Sequence, residues 1–195
     1  MKTADIRKLW QMESLGAMPP SLEAVQDRAA AFHRQIGRRN RIEYIAAIVV
    51  VAAFAFYAWS ESNPIVRIGH LFIVAAAGYV VWQLRRRASA ERPPVAPTLP
   101  EAIDYLRGEF ARQREALAHV WDWYLLPFVP GFVLIMVGPA VLPDDSGPGP
   151  GPVFGLVALA IIVLVFYAIW RANLAAARKL QQAVDELDAM REELE

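Results

Sequence analysis

The 195-residue chain contains no cysteine. That excludes disulfides, thiolate zinc sites, iron–sulfur clusters and a cysteine nucleophile. Histidine is scarce, and His33, His70 and His119 have no metal-ligand spacing. Net formal charge is zero, yet no Asp or Glu falls near the centre of any long apolar run. Proton-coupled transporters commonly keep a carboxylate there, so the absence argues against that class. The Gly-Pro repeat at 147–152 is not a phosphate loop, because it lacks the following Lys. Residues 1–41 are polar and charged, and the first apolar block comes too late to be a signal-peptide core. No catalytic or cofactor motif stands out, so neither an enzymatic activity nor a cofactor is expected.

What is abundant is apolar sequence. The chain is 56% hydrophobic, and the apolar residues collect in four blocks instead of short periodic elements, which is a membrane signature. The blocks are Tyr44–Trp59, Pro64–Leu84, Trp123–Leu142 and Val153–Trp170. The first is slightly short at about 24 Å against a hydrocarbon core of about 30 Å, and Ile42 with the flanking aromatics can supply the missing turn. Asn63 before Pro64 reads as an N-cap followed by proline in the first turn. Without water in the bilayer, each block must satisfy its backbone internally, so helix is the expected form. The predicted fold class is all-α: a four-helix transmembrane bundle with cytoplasmic helical extensions of the first, third and fourth spans.

Orientation follows from the basic residues. Every Lys and Arg except Arg67 lies in residues 1–43, residues 85–121 or the tail after Trp170. The short connections Ser60–Asn63 and Pro143–Pro152 carry none. The positive-inside rule therefore puts both termini and the central loop in the cytoplasm. Trp59, Trp82, Trp121, Trp123 and Trp170 fall at span ends, as interfacial anchors do.

The polar parts divide as follows. Residues 1–20 hold a short amphipathic helix, with Ile6, Leu9 and Trp10 on one face, followed by a hinge at Gly16 and Pro19-Pro20. This helix can bind a partner or lie on the membrane. Residues 21–87 hold a cytoplasmic helix and the first two spans. Leu22, Val25, Ala29, Phe32 and Ile36 share one face, and no breaker separates them from the first span. Arg34, Arg38, Arg39 and Arg41 sit where that helix meets the membrane surface, and Arg85, Arg86 and Arg87 close the second span. Both clusters suit an anionic inner leaflet. Residues 88–97 are a proline-rich linker. Residues 98–170 begin with a capping box, Thr98 with Glu101, and a helix with Ile103, Leu106, Phe110 and Leu117 on one side that is expected to run on into the third span. Residues 171–195 continue the fourth helix. Ala177, Leu180, Val184, Leu187 and Leu194 fit a heptad seam that Arg191 weakens, and the seam is expected to dock on the chain's own helices or, alternatively, to zip a dimer.

Glu23-Ala24-Val25 and Phe32-His33-Arg34-Gln35 match Glu101-Ala102-Ile103 and Phe110-Ala111-Arg112-Gln113 at a common offset of 78 residues. The alternatives are a parallel repeat of helix, span, loop and span and chance likeness between two amphipathic helices. Inside the spans only Arg67 and His70 are ionisable. They form either a polar intramembrane site at the outer end of the second span or a snorkelling arginine beside a packed histidine. Pro127 and Pro130-Gly131 interrupt the third span and free the carbonyls of Trp123 and Leu126, which are available to an ion or to neighbouring helices.

Leu9-Trp10-Gln11, residues 38–44, Leu84–Arg87 and Trp123–Gly131 together resemble a family of bacterial four-span inner-membrane proteins whose genes often sit beside those of extracytoplasmic-function sigma factors. The resemblance covers roughly residues 6–140. It implies a multi-pass protein of the bacterial inner membrane, part of a signalling or transcription-control system, and it offers no active-site residues to carry over. Two function classes follow: a membrane-anchored interaction or regulatory scaffold acting through cytoplasmic helices, and a small transporter or channel subunit. The expected partners are the lipid bilayer, a cytoplasmic protein regulator and a further copy of the chain. Nucleic acid is not among them.

Overall fold

A computed structural model describes residues 21–87, 94–142 and 152–194. The N-terminal segment with Ile6, Leu9 and Trp10, residues 88–93 of the linker and the connection at 143–151 lie outside the described residues. Those described are helical nearly throughout, with no strand among them.

Helix α1 spans Leu22–Ser60 without interruption. Ser21 caps it, with Oγ accepting from the Ala24 N–H at 3.2 Å. At 1.5 Å per residue its 39 residues reach about 58 Å, twice what the bilayer core needs. Helix α2 spans Pro64–Arg87 and α3 spans Leu99–Ala118. Helix α4, Val129–Val141, is reached through two irregular turns, and α5 runs from Pro152 to Glu192. Four segments are long and apolar enough to cross a membrane: α1, α2, Trp121–Val141 and α5.

The third span departs from expectation. The sequence predicted a helix running from the linker into the membrane, kinked at Pro127 to Gly131. The α3 ladder instead stops at Ala118, before the membrane. Residues Trp121–Leu125 form a π turn and Leu126–Phe128 a 3₁₀ turn. The cause is Pro127, which has no N–H to offer the preceding turn. The Leu126 N–H reaches past the usual acceptor to the Trp121 carbonyl, and the Val129 N–H closes on the Leu126 carbonyl. The Leu126 carbonyl freed by Pro130 is thus satisfied within the chain. Trp123, expected at the lipid interface, is buried instead, and its Nε1 donates to the Ala116 carbonyl at 2.9 Å.

Within the membrane α2 is the central helix. It packs on α1 along one side and on α4 along the other. The α2–α4 contact depends on glycine. A Cβ on Gly69 would lie 2.9 Å from the Gly131 carbonyl oxygen, and one on Gly131 would lie 2.9 Å from the Gly69 oxygen. Gly138 meets Val66 in the same way. Small residues let apolar helices approach backbone to backbone, where dispersion replaces the hydrophobic effect as the attraction. The membrane half of α5 stands apart. It reaches its neighbours through Phe166, which meets Phe132 at 6.0 Å and Trp121 at 6.5 Å.

Beyond the membrane, on the basic side, α1, α3 and the second half of α5 form a three-helix bundle. Its core is Val25, Ala29, Ala102, Ile103, Leu106, Phe110, Val184 and Leu187. The tail therefore docks on the chain's own helices. Arg191, which disturbed the heptad pattern, reaches Asp104 on α3 at 3.4 Å. Arg28–Glu186 and Arg107–Asp188 pair across the same seams. The matched segments of the two halves meet here: Phe32 packs edge-on to Phe110 at 4.5 Å, and Val25 and Ile103 share the core. The likeness ends there, since α1 and α2 pack as a hairpin while α4 packs on α2 rather than on α5.

Gly69→Ala and Gly131→Ala should each destabilise the protein by about 1–3 kcal/mol, the usual scale of overpacking. Gly108→Ala, in open space on α3, should stabilise it by roughly 0.5–1 kcal/mol. Thermal midpoints in detergent will check the opposite signs.

Candidate functional site

The features that can do chemistry or binding lie at three levels along the bundle. On the basic side, a groove of about 430 Å³ runs between α1 and α3. Val25, Ala29, Ala30, Ala102, Pro94 and Pro97 make its apolar walls, and Gln26, His33 and Tyr105 supply the polar groups. Ala29 and Ala30 make the α1 wall shallow where larger residues would close the gap.

A buried polar network lies beneath the groove. The side chains of Glu109 and Gln113 are on the inner face of α3, each 1% exposed. Arg112, one turn along, bonds Glu109. The His33 Nε2 and Tyr105 hydroxyl are 2.9 Å apart. In the neutral tautomer with Nε2 unprotonated, the hydroxyl donates to that nitrogen. Glu109 Oε2 lies 3.9 Å from the same nitrogen, a distance at which a free carboxylate would hold a proton on the ring. Arg112 takes the carboxylate instead. Burial, helped by the Arg112 charge, therefore holds His33 below its ordinary value of 6.5. The His33–Tyr105 hydrogen bond links α1 to α3 and favours one register, because one turn of slip would separate the two groups; the Glu109–Arg112 pair lies within α3.

The second level is the membrane boundary. The Tyr124 hydroxyl, carried by the π turn, donates to Glu43 Oε2 on α1 at 2.6 Å. Arg39, one turn before Glu43, is half-buried and interacts with both. It was expected on the membrane surface with Arg34, Arg38 and Arg41, and here it points inward. Those three are exposed, as are Arg85, Arg86 and Arg87. Arg85 lies over the Tyr44 ring at 5.6 Å and Arg86 over Trp82 at 5.5 Å. Arg87 Nε donates to Gln83 Oε1 at 3.0 Å. The Glu43–Tyr124 pair was missed in the sequence because the residues lie 81 positions apart and neither belongs to a motif.

The third level is the opposite end of α2. Arg67 and His70 do not form one site. Arg67 turns outward, and its guanidinium donates to the Glu61 carbonyl at the end of α1. His70 turns inward and is buried, with its ring 5.7 Å from both Phe54 and Tyr57. Spaced by three, they stand on neighbouring lines of the helix, and the edge of the buried face runs between them: Arg67 is exposed and His70 buried. The polar residue that organises this end is Asn63. Its Oδ1 accepts from the Ile65 and Val66 N–H groups, and its Nδ2 donates to the Leu142 carbonyl at 2.6 Å and the Gly138 carbonyl at 3.3 Å. One side chain caps α2 and ties it to the end of α4. Among the described residues no three His, Asp or Glu side chains gather as metal ligands.

The depressed His33 value sets the sign of a pH effect. The folded protein binds this proton less readily than the unfolded chain does. The stabilising contribution is full above 6.5 and is lost as pH falls through the lower folded value. The thermal midpoint of the wild type should therefore drop between pH 7 and pH 5 by more than that of His33→Gln, which keeps a hydrogen bond to Tyr105 without titrating. Compared with protein-family models, curated proteins and solved structures, the chain matches none, so the functional reading stands on this geometry and on the pattern of the sequence.

Proposed function

We propose that the chain is a multi-pass scaffold of the bacterial inner membrane that holds a cytoplasmic regulatory protein on its basic-side helices. The observation that carries this reading is the open groove between α1 and α3, lying over a bundle that is itself fully closed by α5. Among the described residues nothing fills this space of about 430 Å³, whose mostly apolar lining suits side chains of a partner. The short connections on the other side leave little surface for a ligand-binding domain. The N-terminal sequence, with Ile6, Leu9 and Trp10 at helical spacing, offers an aromatic anchor for such a partner. Trp is a residue type over-represented among interface hot spots. The resemblance to proteins encoded beside sigma factors supports a role in signalling or transcription control.

Alkaline phosphatase and green fluorescent protein fusions at residues 20, 90 and 195 should report cytoplasm, and fusions at Asn63 and Gly149 the opposite side. An external signal at 90 would overturn the orientation. In co-purification from solubilised membranes, Trp10→Ala and Ala30→Trp, the latter filling the groove from an exposed wall, should each weaken capture of the bound protein tenfold or more. A factor of ten corresponds to about 1.4 kcal/mol. Arg67→Ala should leave capture unchanged. If Arg67→Ala abolishes function while the other two do not, the working end is at the far side of α2, and the transporter or channel reading replaces this one.

A further inference from the structure

Between α1, α2 and the irregular turns of the third span lies a second cavity, of about 60 Å³. Ala46, Ala47 and Val50 of α1, Ala77 and Val81 of α2, and Phe128 of the 3₁₀ turn make its walls. The side chains of both helices are short where they face it, and this leaves the space. Its polar end is the Glu43–Tyr124 pair, which bridges α1 to the third span at 2.6 Å. Eleven residues further along α1, Phe54 meets Phe132 of α4 at 6.5 Å. Over the roughly 16 Å between these two points, α1 packs on α2 and makes little contact with the third span. The two are parted along this stretch, α2 forms the floor between them, and the cavity lies at the basic-side end.

Position, volume and polarity together select the occupant. Ala46 and Val50 lie three and seven residues past Glu43, about 5–10 Å inside the membrane boundary, which is the depth of acyl chains. Ala46 is exposed, so the cavity opens on the lipid-facing surface that Ile45 and Val49 continue (57% and 61% exposed). Holding one water takes roughly 10–15 Å³, so the space exceeds a packing gap between side chains. Water also needs two to four polar partners. The polar groups here, Glu43 and Tyr124, sit at one end and bond each other. An apolar cavity stays dry and takes an apolar ligand, and the apolar group that the bilayer supplies at this depth is the lipid methylene.

We infer that this cavity seats one acyl chain of a membrane phospholipid, between α1 and the third span and beneath the Glu43–Tyr124 bridge. The chain supplies the contacts that α1 and the third span do not make with each other. It is therefore held as part of the structure, unlike the lipid that exchanges along the open faces of the helices.

The test uses the full chain, delipidated in mild detergent, titrated with dioleoyl phosphatidylcholine and read by native mass spectrometry. This lipid has no net charge, which keeps the boundary arginines out of the readout. One lipid should bind ahead of the rest. Ala46→Leu and Val81→Phe, which fill the cavity from two different helices, should each weaken that first binding at least fivefold. Ala46 is exposed, so leucine there should leave the thermal midpoint no lower, and it decides the matter alone if Val81→Phe fails to fold. Ile48→Phe adds bulk on an open face of α1 (68% exposed) outside the cavity and should stay within twofold of wild type. No first lipid in the wild type, no loss for Ala46→Leu, or an equal loss for Ile48→Phe would show unsited bilayer contact and overturn the seat. Displacement of the lipid by glycerophosphocholine, the same headgroup without chains, would overturn the acyl assignment. Tighter binding of free oleate than of the phospholipid would overturn the phospholipid as its source.

Discussion

The structure depends on one constraint: in an apolar medium no water is present to pair a backbone N–H or carbonyl. That constraint makes the four apolar segments helical and makes every break in a ladder require a local remedy. At Pro127 the remedy is a π turn followed by a 3₁₀ turn, which hands each freed group a partner a residue further on or a residue nearer. At the far end of α2 it is Asn63, whose side chain serves two N–H groups of one helix and two carbonyls of another. Arg67 meets the same demand for α1 by donating to the Glu61 carbonyl. Residues that look functional by their polarity are here committed to the backbone.

Because the hydrophobic effect does not drive helices together inside lipid, contact area has to come from close approach. Gly69 and Gly131 supply it for α2 and α4, which is why α2 is the central helix and α5 is held in the membrane mainly through Phe166. Outside the membrane the rules revert to those of water. There α5 docks through Val184 and Leu187 into an ordinary apolar core, edged by ion pairs on the surface. The same helix is thus lipid-facing in one half and part of a bundle in the other. Helices α1 and α5 run unbroken from one half into the other, a rigid link between them. The π turn at Trp121–Leu125 is the place where α3 and the third span are uncoupled from that rigidity.

The His33–Tyr105 hydrogen bond favours one register of the basic-side bundle. Apolar residues alone would let α1 slide along α3 by a turn at modest cost, since Val25, Ala29 and Phe32 repeat at similar steps. The hydrogen bond between His33 on α1 and Tyr105 on α3 would be broken by that slip. The groove then opens at a fixed place, beside His33 and Tyr105, because alanines occupy the α1 face above them.

The four spans, the uninterrupted α1, the caps at Asn63 and Thr98 and the docking face of the tail were legible in the sequence. Each rests on periodicity or on a side chain acting within a few residues of itself, and such effects are local. The sequence also marked Pro127 as a break, because a missing N–H is a property of one residue. What only the tertiary structure decided are pairings across long separations and directions around a helix: Glu43 with Tyr124, Glu109 buried near His33, Arg39 turned inward while Arg41 stays out, and Arg67 parted from His70. Those outcomes depend on which neighbour a helix face meets, and a single chain of apolar stripes is compatible with several neighbours. Close approach at glycine between α2 and α4 selected one.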